Sequence, residues 1–574
     1  MVFAKKPPLL LTVTTALLLI GAGVLAHWGI RWQQNRIRGL PAGVLAVPEQ
    51  AAVMVSLSTH SDQWQQLRQF GTPETQAAFD QRLANWRDRW LTDYGLSFSR
   101  DLAPWIGPEV TIAWLPGPES ETNANDSSAV DVWDDQRRIL LLPIRDPEEA
   151  QNSAKSLFLP EDSIDTWEYR GVTLSLYGSP DQDGQESTWI GVLGTQLILV
   201  AEDQETAQQS IDAYKDGNSI ANIAGYRRSF EHIGTAQAFG QFYADVPTAI
   251  QLLGQMSQPE FPAALVESFQ DSQGLAATIA LTSQGIQVKS TRWLEPDSEN
   301  AFSDTNVAAQ LPQYLPRDTL ALASGGNFQQ LWQDLSEQQN WGRLTAFDPE
   351  NLTLAVQSST GLTTEEDLLP WMGGEFALAL VPVEANSSDT DAFVLPNPGL
   401  VVLMQVSDRP QAEQAFDQLD TVVKNRYRFS IVDEPMADIE LIKWISPFQS
   451  TTLSRGWLES SIAFLTIGEA TEDAIIPQPQ RSLAKAPLFQ LTTGEAPYPN
   501  NGYFYLNLEA LSRTQNNLFI PDLSLENQGL LRAIQALGVT ATVLDSDRLR
   551  YDLYLALTRG NRPGPLPQAT DAPQ

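Results

Sequence analysis

Two pairs of carboxylates are the residues in this sequence best suited to acid–base chemistry. Asp101 and Glu109 lie in the stretch DLAPWIGPEVTIAW, and Asp367 and Glu375 lie in the similar stretch DLLPWMGGEFALAL. Paired carboxylates catalyse hydrolysis when their separation is fixed and their environments push their pKa values apart. The spacing in the sequence establishes neither condition. A carboxylate-based hydrolase is therefore an alternative function, and no catalytic residue is assigned.

The two stretches are better explained as repeated scaffold. Each aspartate can cap a short helical turn, within which the following proline is tolerated. In the strand that comes next, Val110, Ile112 and Trp114 share one face. The small residues Thr111 and Ala113 share the other face, so a neighbouring element can pack closely there. We expect a central strand of a sheet.

Trp105 and Trp371 occupy the same place in the two stretches. Tryptophan offers a large apolar surface with one polar atom, which suits either a protein core or a binding surface. We predict core or interface packing for both residues, with an aromatic binding surface as the alternative.

Other residue types with chemical potential give no site. The sequence contains no cysteine, which excludes disulfides and thiol nucleophiles, and its histidines, His27, His60 and His232, lack metal-ligand spacing. Residues 181–186 resemble the start of a calcium loop, but Val192 stands where the bidentate glutamate is needed. We assign no catalytic, cofactor-binding or metal-binding residue and expect no cofactor.

Two acidic loops follow the repeated stretches, at residues 117–135 and 384–393. Such loops can bind cations weakly, present an exposed surface to a partner, or serve only as solvated insertions. We predict solvated insertions, with weak cation binding and an exposed partner-binding surface as the alternatives.

Composition limits the class of partner. The chain has 574 residues and a net charge of −34, from 70 acidic and 36 basic residues. A surface this negative repels phosphate backbones, which argues against nucleic acid as a partner. It also disfavours docking of the soluble part on anionic lipid. The length predicts more than one domain.

Residues 9–30 carry no charged side chain, and at 1.5 Å per residue a helix of this length spans about 33 Å. Lys5 and Lys6 precede the segment, and Trp28 lies where an interfacial aromatic belt would be. A cleaved signal peptide, with a small-residue site at 24–26, is the alternative. The apolar run is long for a signal peptide, so we predict a single transmembrane anchor.

An internal duplication is predicted from matches that keep their order along the chain. VPEQAAVMVSLSTHSDQWQQL (47–67) resembles LPRDTLALASGGNFQQLWQDL (315–335), and GLAATIALTSQGIQVKSTRW (274–293) aligns with GVTATVLDSDRLRYDLYLAL (538–557). The predicted parts are an N-terminal tail and anchor at 1–39, a first domain at 40–294, an acidic linker at 295–311, a second domain at 312–558 and a disordered tail at 559–574.

Local signals predict α+β domains whose sheets are largely antiparallel. Thr72-Pro73-Glu74 and Asp348-Pro349-Glu350 are typical helix starts, with proline at the first helical position. Turn residues at 283–285 and 545–547 lie between alternating runs and predict a terminal hairpin in each copy.

The hydrophobic N-terminus, VPEQAAVMVSLS and DLAPWIGPEVTIAW together resemble a family of membrane-anchored cyanobacterial proteins catalogued as a domain of unknown function. The resemblance covers residues 40–558 and implies a photosynthetic bacterial source. It brings no catalytic residue. We predict a non-catalytic single-pass membrane protein whose bulk lies in the periplasm or thylakoid lumen and binds other envelope or thylakoid proteins. A carrier or sensor of a hydrophobic ligand is a further alternative.

Overall fold

Antiparallel strands form most of the structure, and helices pack on them. The structure, a computed structural model, describes residues 3–5, 40–90, 97–117, 137–150, 165–177, 188–234, 238–256, 269, 271–296, 298, 300–302, 307–308, 310–337, 349–383, 397–447, 452–513 and 532–567. The chain divides into two compact units. The first comprises Leu18–Phe261, Phe269–Pro296 and Arg559–Gln574; the second comprises Met1–Leu17, Pro262–Ser268 and Asp297–Thr558. A short strand β1 (Phe3–Lys5) belongs to the second unit.

The first unit contains one antiparallel sheet with the strand order β11-β10-β9-β2-β3-β4-β8-β7-β6-β5. Its strands are β2 (Val53–Ser58), β3 (Glu109–Leu115), β4 (Arg137–Pro143), β5 (Asp165–Tyr169), β6 (Val172–Tyr177), β7 (Thr188–Leu193), β8 (Leu197–Ala201), β9 (Gly240–Asp245), β10 (Ser272–Leu281) and β11 (Gly285–Leu294). Its helices are α1 (Ser61–Leu67), α2 (Pro73–Trp90), α3 (Gln204–Asp216), α4 (Ala224–Ile233) and α5 (Val246–Met256), with shorter turns at Ala42–Ala46, Phe98–Leu102 and Ile220–Asn222.

The second unit contains an antiparallel sheet with the order β22-β21-β20-β13-β14-β15-β19-β18-β17-β16. Its strands are β12 (Asn300–Phe302), which pairs in parallel with β1, β13 (Ala321–Gly325), β14 (Phe376–Val383), β15 (Asn397–Gln405), β16 (Ser430–Asp433), β17 (Leu441–Ile445), β18 (Thr452–Glu459), β19 (Ile462–Ile467), β20 (Gly502–Asn507), β21 (Ile534–Asp545) and β22 (Arg548–Leu557). Its helices are α6 (Phe328–Glu337), α7 (Pro349–Thr360), α8 (Arg409–Asn425), α9 (Pro487–Thr493) and α10 (Leu508–Leu511), with shorter turns at Leu311–Tyr314, Thr364–Leu368, Leu369–Trp371, Thr471–Ala474 and Leu483–Lys485.

Every strand pairing in the first sheet has a counterpart in the second. The central strand β3 lies between β2 and β4, as β14 lies between β13 and β15. The hairpins β10–β11 and β21–β22 end the two sheets. Mixed helices and antiparallel strands were predicted from the sequence, and the structure confirms them.

The predicted helix starts and hairpin turns are also confirmed. Helix α2 begins at Pro73 and helix α7 at Pro349, as expected for proline at the first helical position. The turns of the terminal hairpins fall at the predicted residues, since β10 ends at Leu281 and β11 begins at Gly285.

The two faces of β3 pack into different hydrophobic clusters. On one face, Ala113 is fully buried in a hydrophobic cluster that includes residues of helices α3 and α4. On the opposite face, Val110 lies in a separate cluster with Trp105. The backbone of the Ala42–Ala46 turn approaches the small face, where a Cβ added to Gly43 would lie 2.4 Å from Thr111 Oγ1. The predicted central strand with a small-residue face is thus confirmed.

The predicted anchor, linker and C-terminal tail lie wholly or partly outside the described residues. The predicted anchor, residues 9–30, lies outside the described residues. Within the described part of the chain, no helix combines the length and apolar character needed to cross a membrane. The predicted acidic linker at 295–311 includes β12 and Ala308, which bridges to Asn500. Of the tail predicted to be disordered, residues 559–567 are described and pack on the first unit.

Candidate functional site

The aspartates of the repeated stretches cap short helical turns. Asp101 accepts a hydrogen bond from the backbone N–H of Ser97 at 2.6 Å, and Asp367 accepts one from Thr363 at 2.7 Å. The two tryptophans then lock the turns, because their indole N–H groups donate to the carbonyl oxygens of the same aspartates, at 2.7 Å and 3.0 Å. These contacts assign a structural role to both aspartates.

The electrostatics of Asp101 agree with a cap. Hydrogen bonding from Arg100, and then from the Ser97 N–H, holds the pKa of the Asp101 carboxyl below its usual value. A general acid needs the opposite shift, toward higher pKa. Asp101 therefore stays ionised and accepting at neutral pH.

Glu375 also binds backbone rather than another carboxylate. Its side chain is 2% exposed, and its two oxygens accept hydrogen bonds from the N–H groups of Gln310 and Leu311 at 3.0–3.1 Å. The carboxylate thereby caps the Leu311–Tyr314 turn. Glu109, the equivalent residue of the first stretch, is 9% exposed.

The two tryptophans of the repeated stretches are core residues. Trp105 is fully buried, and Trp371 is 3% exposed and packs edge-on against Phe416 with 5.9 Å between ring centroids. The prediction of core packing is confirmed for both. Neither side chain offers an aromatic surface to a partner.

A second group of carboxylates surrounds Lys443 in the second unit. The Lys443 ammonium lies 3.0 Å from oxygens of Glu434 and of Glu472, which is 2% exposed. Burial alone lowers the pKa of Lys443, but the hydrogen bonds that its ammonium donates to Glu472 and Glu434 raise this pKa above its usual value. Burial, and then the charge of Glu472, raises the pKa of Asp473. The lysine offsets part of this negative charge and ties β17 to the Thr471–Ala474 turn.

The calcium-like stretch, the acidic loops and the histidines form no site among the described residues. Residues 181–186 and 384–393 lie outside the described residues, as does the first acidic loop beyond Gly117. Among the described residues, no group of three or more histidine, aspartate or glutamate side chains could hold a metal ion. His60 and His232 are described, in or beside helices α1 and α4.

The C-terminal segment, residues 559–567 with the sequence RGNRPGPLP, packs on the surface of the first unit. It lies on α1 and α2 of the first unit, in what we call the α1–α2 groove. Gly71, with a φ of +106°, makes the turn between these helices, and Thr72 caps α2 through the N–H of Thr75. This turn sets the two helices side by side to form the groove.

Side chains of the groove donate hydrogen bonds to the main chain of the C-terminal segment. Gln76 binds both main-chain groups of Asn561, each at 3.0 Å. Arg68 donates to the carbonyl of Gly564 at 2.8 Å, and Arg87 donates to that of Pro567 at 2.9 Å. At the start of the segment, the N–H of Gly560 donates to the carbonyl of Gln69 at 2.8 Å, and the Arg559 guanidinium donates to the Gln69 side chain at 2.7 Å.

Both arginines are held in place by carboxylates on α2. Arg68 forms two parallel hydrogen bonds with Asp80, at 2.7 and 2.9 Å, and Arg87 forms two with Asp88, at 2.8 and 3.0 Å. Two-point pairing of this kind fixes the plane of a guanidinium. The pairing therefore holds both guanidinium groups in position for their hydrogen bonds to the segment.

Leu566 supplies the apolar contact. It lines a cavity of about 190 Å³ together with Trp64, Leu83 and Phe98. Trp64 is itself fixed, because its indole N–H donates to the Ser58 carbonyl at 2.7 Å. Pockets for small-molecule ligands usually measure about 300–1,000 Å³, so this cavity suits one aliphatic side chain.

A larger groove of about 680 Å³ lies in the second unit between the end of α7 and helix α8. It is open and lined in part by acidic and amide side chains, including Glu413, Gln414 and Asp417. This lining differs from the apolar cavity that a carrier of a hydrophobic ligand needs.

Sequence reasoning missed the α1–α2 groove. The available signal was the proline spacing of RPGPLP, since such segments favour the polyproline II conformation and serve as recognition elements. Arg68, Gln76 and Arg87 belong to no sequence motif that would have identified them as binding residues.

The fold and the site together define a mixed helix and antiparallel-sheet protein with a groove that holds an extended peptide segment. Over residues 11–557 the sequence matches the family described as "Protein of unknown function (DUF3352)", and the chain belongs to this family. No curated protein matches the sequence.

Solved structures similar to part of the chain are those of crystal forms I, III and IV of TP0453. Each is 10% identical with a TM-score of 0.24, and the matches cover 44–46% of this chain and 80–82% of the other. A likeness this low carries no argument about fold or function.

Proposed function

We propose that this protein is a non-catalytic, membrane-anchored binding protein that acts through contacts with other proteins, and that the α1–α2 groove is its binding site. The observation that carries the proposal is the row of preset donors on Gln76, Arg68 and Arg87, which bind main-chain carbonyls of the C-terminal segment. Main-chain recognition by fixed side-chain donors is a property of peptide-binding surfaces.

The proposal places residues 9–30 in the membrane as a single anchor, with the two units in the periplasm or thylakoid lumen of a cyanobacterium. The uncharged length of this segment supports the anchor. Protease added to intact spheroplasts would digest units that lie in the periplasm, and protease added to isolated thylakoid vesicles would digest units in the lumen only after the vesicles are lysed. Protection in intact spheroplasts without protection in isolated thylakoid vesicles would place the units in the cytoplasm.

We also propose that the two units arose by tandem duplication. The identical order of strand pairings supports this, as do the equivalent caps made by Asp101 and Asp367. Only the first unit carries the C-terminal segment, so the two copies have diverged in this use of the shared scaffold.

The binding function is tested by site-specific photo-crosslinking in native membranes. A photoreactive residue replaces Gln65, which is exposed and lines the groove, in the full-length protein. We expect crosslinks to other proteins from this position. The same residue at Glu231, which is exposed on α4 and does not line the groove, should give none of these adducts.

A charge placed in the groove provides the matched variant. Leu83→Glu puts a carboxylate in the apolar cavity, and Asn85→Glu puts the same charge on an exposed position of the same helix. The crosslinks from position 65 should disappear in Leu83→Glu and persist in Asn85→Glu. Equal crosslinking in both variants, or none in the unmodified protein, would rule out this groove as the binding site.

A further inference from the structure

We infer that the apolar cavity beside Leu566 binds a small apolar ligand, either one aromatic ring or an alkyl chain of about six carbons, and that the bound ligand stabilises docking of the C-terminal segment. The cavity belongs to the first unit and has a volume of about 190 Å³. It is lined by α1, α2, the Phe98–Leu102 turn and the C-terminal segment. Binding at this site goes beyond the proposed contacts with other proteins and does not require them.

Apolar side chains from separate parts of the chain line the cavity. Trp64 comes from α1, Leu83 from α2, Phe98 from the turn that follows, and Leu566 from the C-terminal segment. All four side chains are half-buried, so each keeps surface that a ligand can cover. Leu566 borders the space without filling it, because the volume of about 190 Å³ remains with this side chain in place.

The polar groups of Trp64, Arg68 and Arg87 already have partners. The indole N–H of Trp64 donates to a main-chain carbonyl at 2.7 Å. Both guanidinium groups bind carboxylates of α2 and carbonyls of the C-terminal segment, which leaves their aliphatic stems to line the cavity. A water molecule in such a site needs about two to four polar partners. An apolar ligand therefore suits the cavity better than water does.

The volume of the cavity limits the size of the ligand. An engineered cavity of about 150 Å³, lined by leucine, isoleucine and phenylalanine, stays dry and binds benzene. Drug-sized ligands occupy pockets of about 300–1,000 Å³ and do not fit. The cavity thus accepts one ring or one short alkyl chain, and a larger lipid can insert only the end of one chain.

Two exposed residues, Ser61 and Gln65, mark the mouth of the cavity. A ligand with a polar end can keep that end in water at the mouth while its apolar part is buried. Because the chain has a net charge of −34, a neutral polar end is favoured over an anionic one.

The ligand and the C-terminal segment are coupled through Leu566, which forms one wall of the cavity. When the segment leaves the groove, this wall is lost and more of the ligand meets water. The ligand therefore binds more tightly to molecules in which the segment is docked, and it shifts the docking equilibrium toward them. By reciprocity, docking of the segment raises the affinity for the ligand by the same factor.

The site is tested by isothermal titration calorimetry of the full-length protein in detergent, with toluene and hexan-1-ol as probes. We expect saturable binding of one probe molecule per chain to the unmodified protein. Leu83→Glu should bind at least about tenfold more weakly, because its carboxylate would lose hydration beside an apolar ligand. Asn85→Glu carries the same charge on an exposed position and should bind like the unmodified protein. Equal affinity in the two variants, or no saturable binding to the unmodified protein, would overturn the site.

A second pair of variants changes only the C-terminal segment, so neither variant disturbs the packing of the helices. Leu566→Ala removes part of the wall and should bind toluene about 4- to 15-fold more weakly, the effect of losing one or two buried methylene contacts at about 0.8 kcal/mol each. Arg562→Ala, at an exposed position of the same segment, should leave the affinity unchanged. Equal affinity in these two variants would overturn the role of Leu566.

The coupling is tested by hydrogen–deuterium exchange at the N–H of Asn561, which is bonded to Gln76 when the segment is docked. Saturating toluene should slow this exchange by the same factor of about 4- to 15-fold in the unmodified protein and leave it unchanged in Leu83→Glu. Unchanged exchange in the unmodified protein would overturn the coupling.

Further probes distinguish the source of the ligand and the kind of occupant. Binding of dihexanoyl phosphatidylcholine as well as toluene would assign the cavity to the end of a lipid chain, whereas binding of toluene alone would assign it to a free small molecule. Toluene binding without crosslinks from position 65 would reject the proposed function and keep this site. Crosslinks without toluene binding would assign the cavity to a side chain of the partner and overturn the small ligand.

Discussion

Alanine substitutions at Gly560 and Gly564 should show whether the C-terminal segment docks in the α1–α2 groove with the contacts seen in the structure. Gly560→Ala puts a methyl group 2.5 Å from both the Gly71 carbonyl oxygen and the Gln76 side-chain oxygen. The glutamine can move, but the Gly71 oxygen belongs to the backbone of the turn before α2. Gly564→Ala adds the same methyl group with no atom within 4 Å. The two variants are therefore matched in chemistry and differ in contact.

The size of the effect follows from packing. Forcing an extra methyl group into a filled site costs about 1–3 kcal/mol, which weakens docking of the segment by about 5–150-fold. At an unstrained site, glycine to alanine stabilises by about 0.4–1 kcal/mol, because the free segment loses conformational entropy. Docking should thus weaken in Gly560→Ala and stay equal or strengthen in Gly564→Ala.

Hydrogen–deuterium exchange of the full-length protein measures this docking. The N–H groups of residue 560 and of Asn561 are bonded to Gln69 and Gln76, so their exchange requires the segment to leave the groove. We expect exchange at Asn561 to be about 5–150-fold faster in Gly560→Ala than in the unmodified protein. Equal exchange in the two variants, or faster exchange in Gly564→Ala, would refute the docked geometry.

Three further predictions concern the scaffold. Asp420→Ala leaves Arg455, 7% exposed, without its carboxylate at 2.5 Å and should lower the free energy of unfolding by about 3–5 kcal/mol, measured by urea denaturation. Asp417→Ala removes a carboxylate that is 83% exposed and 3.9 Å from the same arginine, and should change it by less than about 0.5 kcal/mol. Glu375→Ala should lower the free energy of unfolding by about 1.5–3 kcal/mol in the same assay. Glu375→Gln should lower it by less, because the amide oxygen still accepts hydrogen bonds from the backbone N–H groups. Equal losses in the two variants would contradict the cap. Burial, and then the hydrogen bond to a glutamate, raises the pKa of Tyr314 to about 12, so its stabilisation is complete below pH 10 and is lost as the pH rises toward 12. The stability difference between the unmodified protein and Tyr314→Phe should shrink over that window, and a constant difference would contradict the shift.

Local features of the fold could be predicted because their causes are local. Proline at the first helical position places the starts of α2 and α7, at Pro73 and Pro349. The alternation of large and small residues in VTIAW identifies β3 as a central strand. Each of these signals depends on residues that are neighbours in the sequence.

The site could not be predicted in the same way. Arg68, Gln76 and Arg87 contact residues that follow them by 496, 485 and 480 positions. The composition of the C-terminal segment is compatible with disorder, and the contacts that hold it come from these distant donors and from Gln69. The carboxylates that could have formed an active site, Asp101 and Glu375, bind backbone N–H groups, which residue type alone does not reveal.

The central claim, that the α1–α2 groove is the binding site for partner proteins, is tested most directly by crosslinking from position 65 in native membranes. Adducts from a photoreactive residue at this position are digested and sequenced by mass spectrometry to identify the partner. Our account predicts adducts with other proteins that are lost in Leu83→Glu and retained in Asn85→Glu. Adducts that survive Leu83→Glu, or their absence from the unmodified protein, would contradict it.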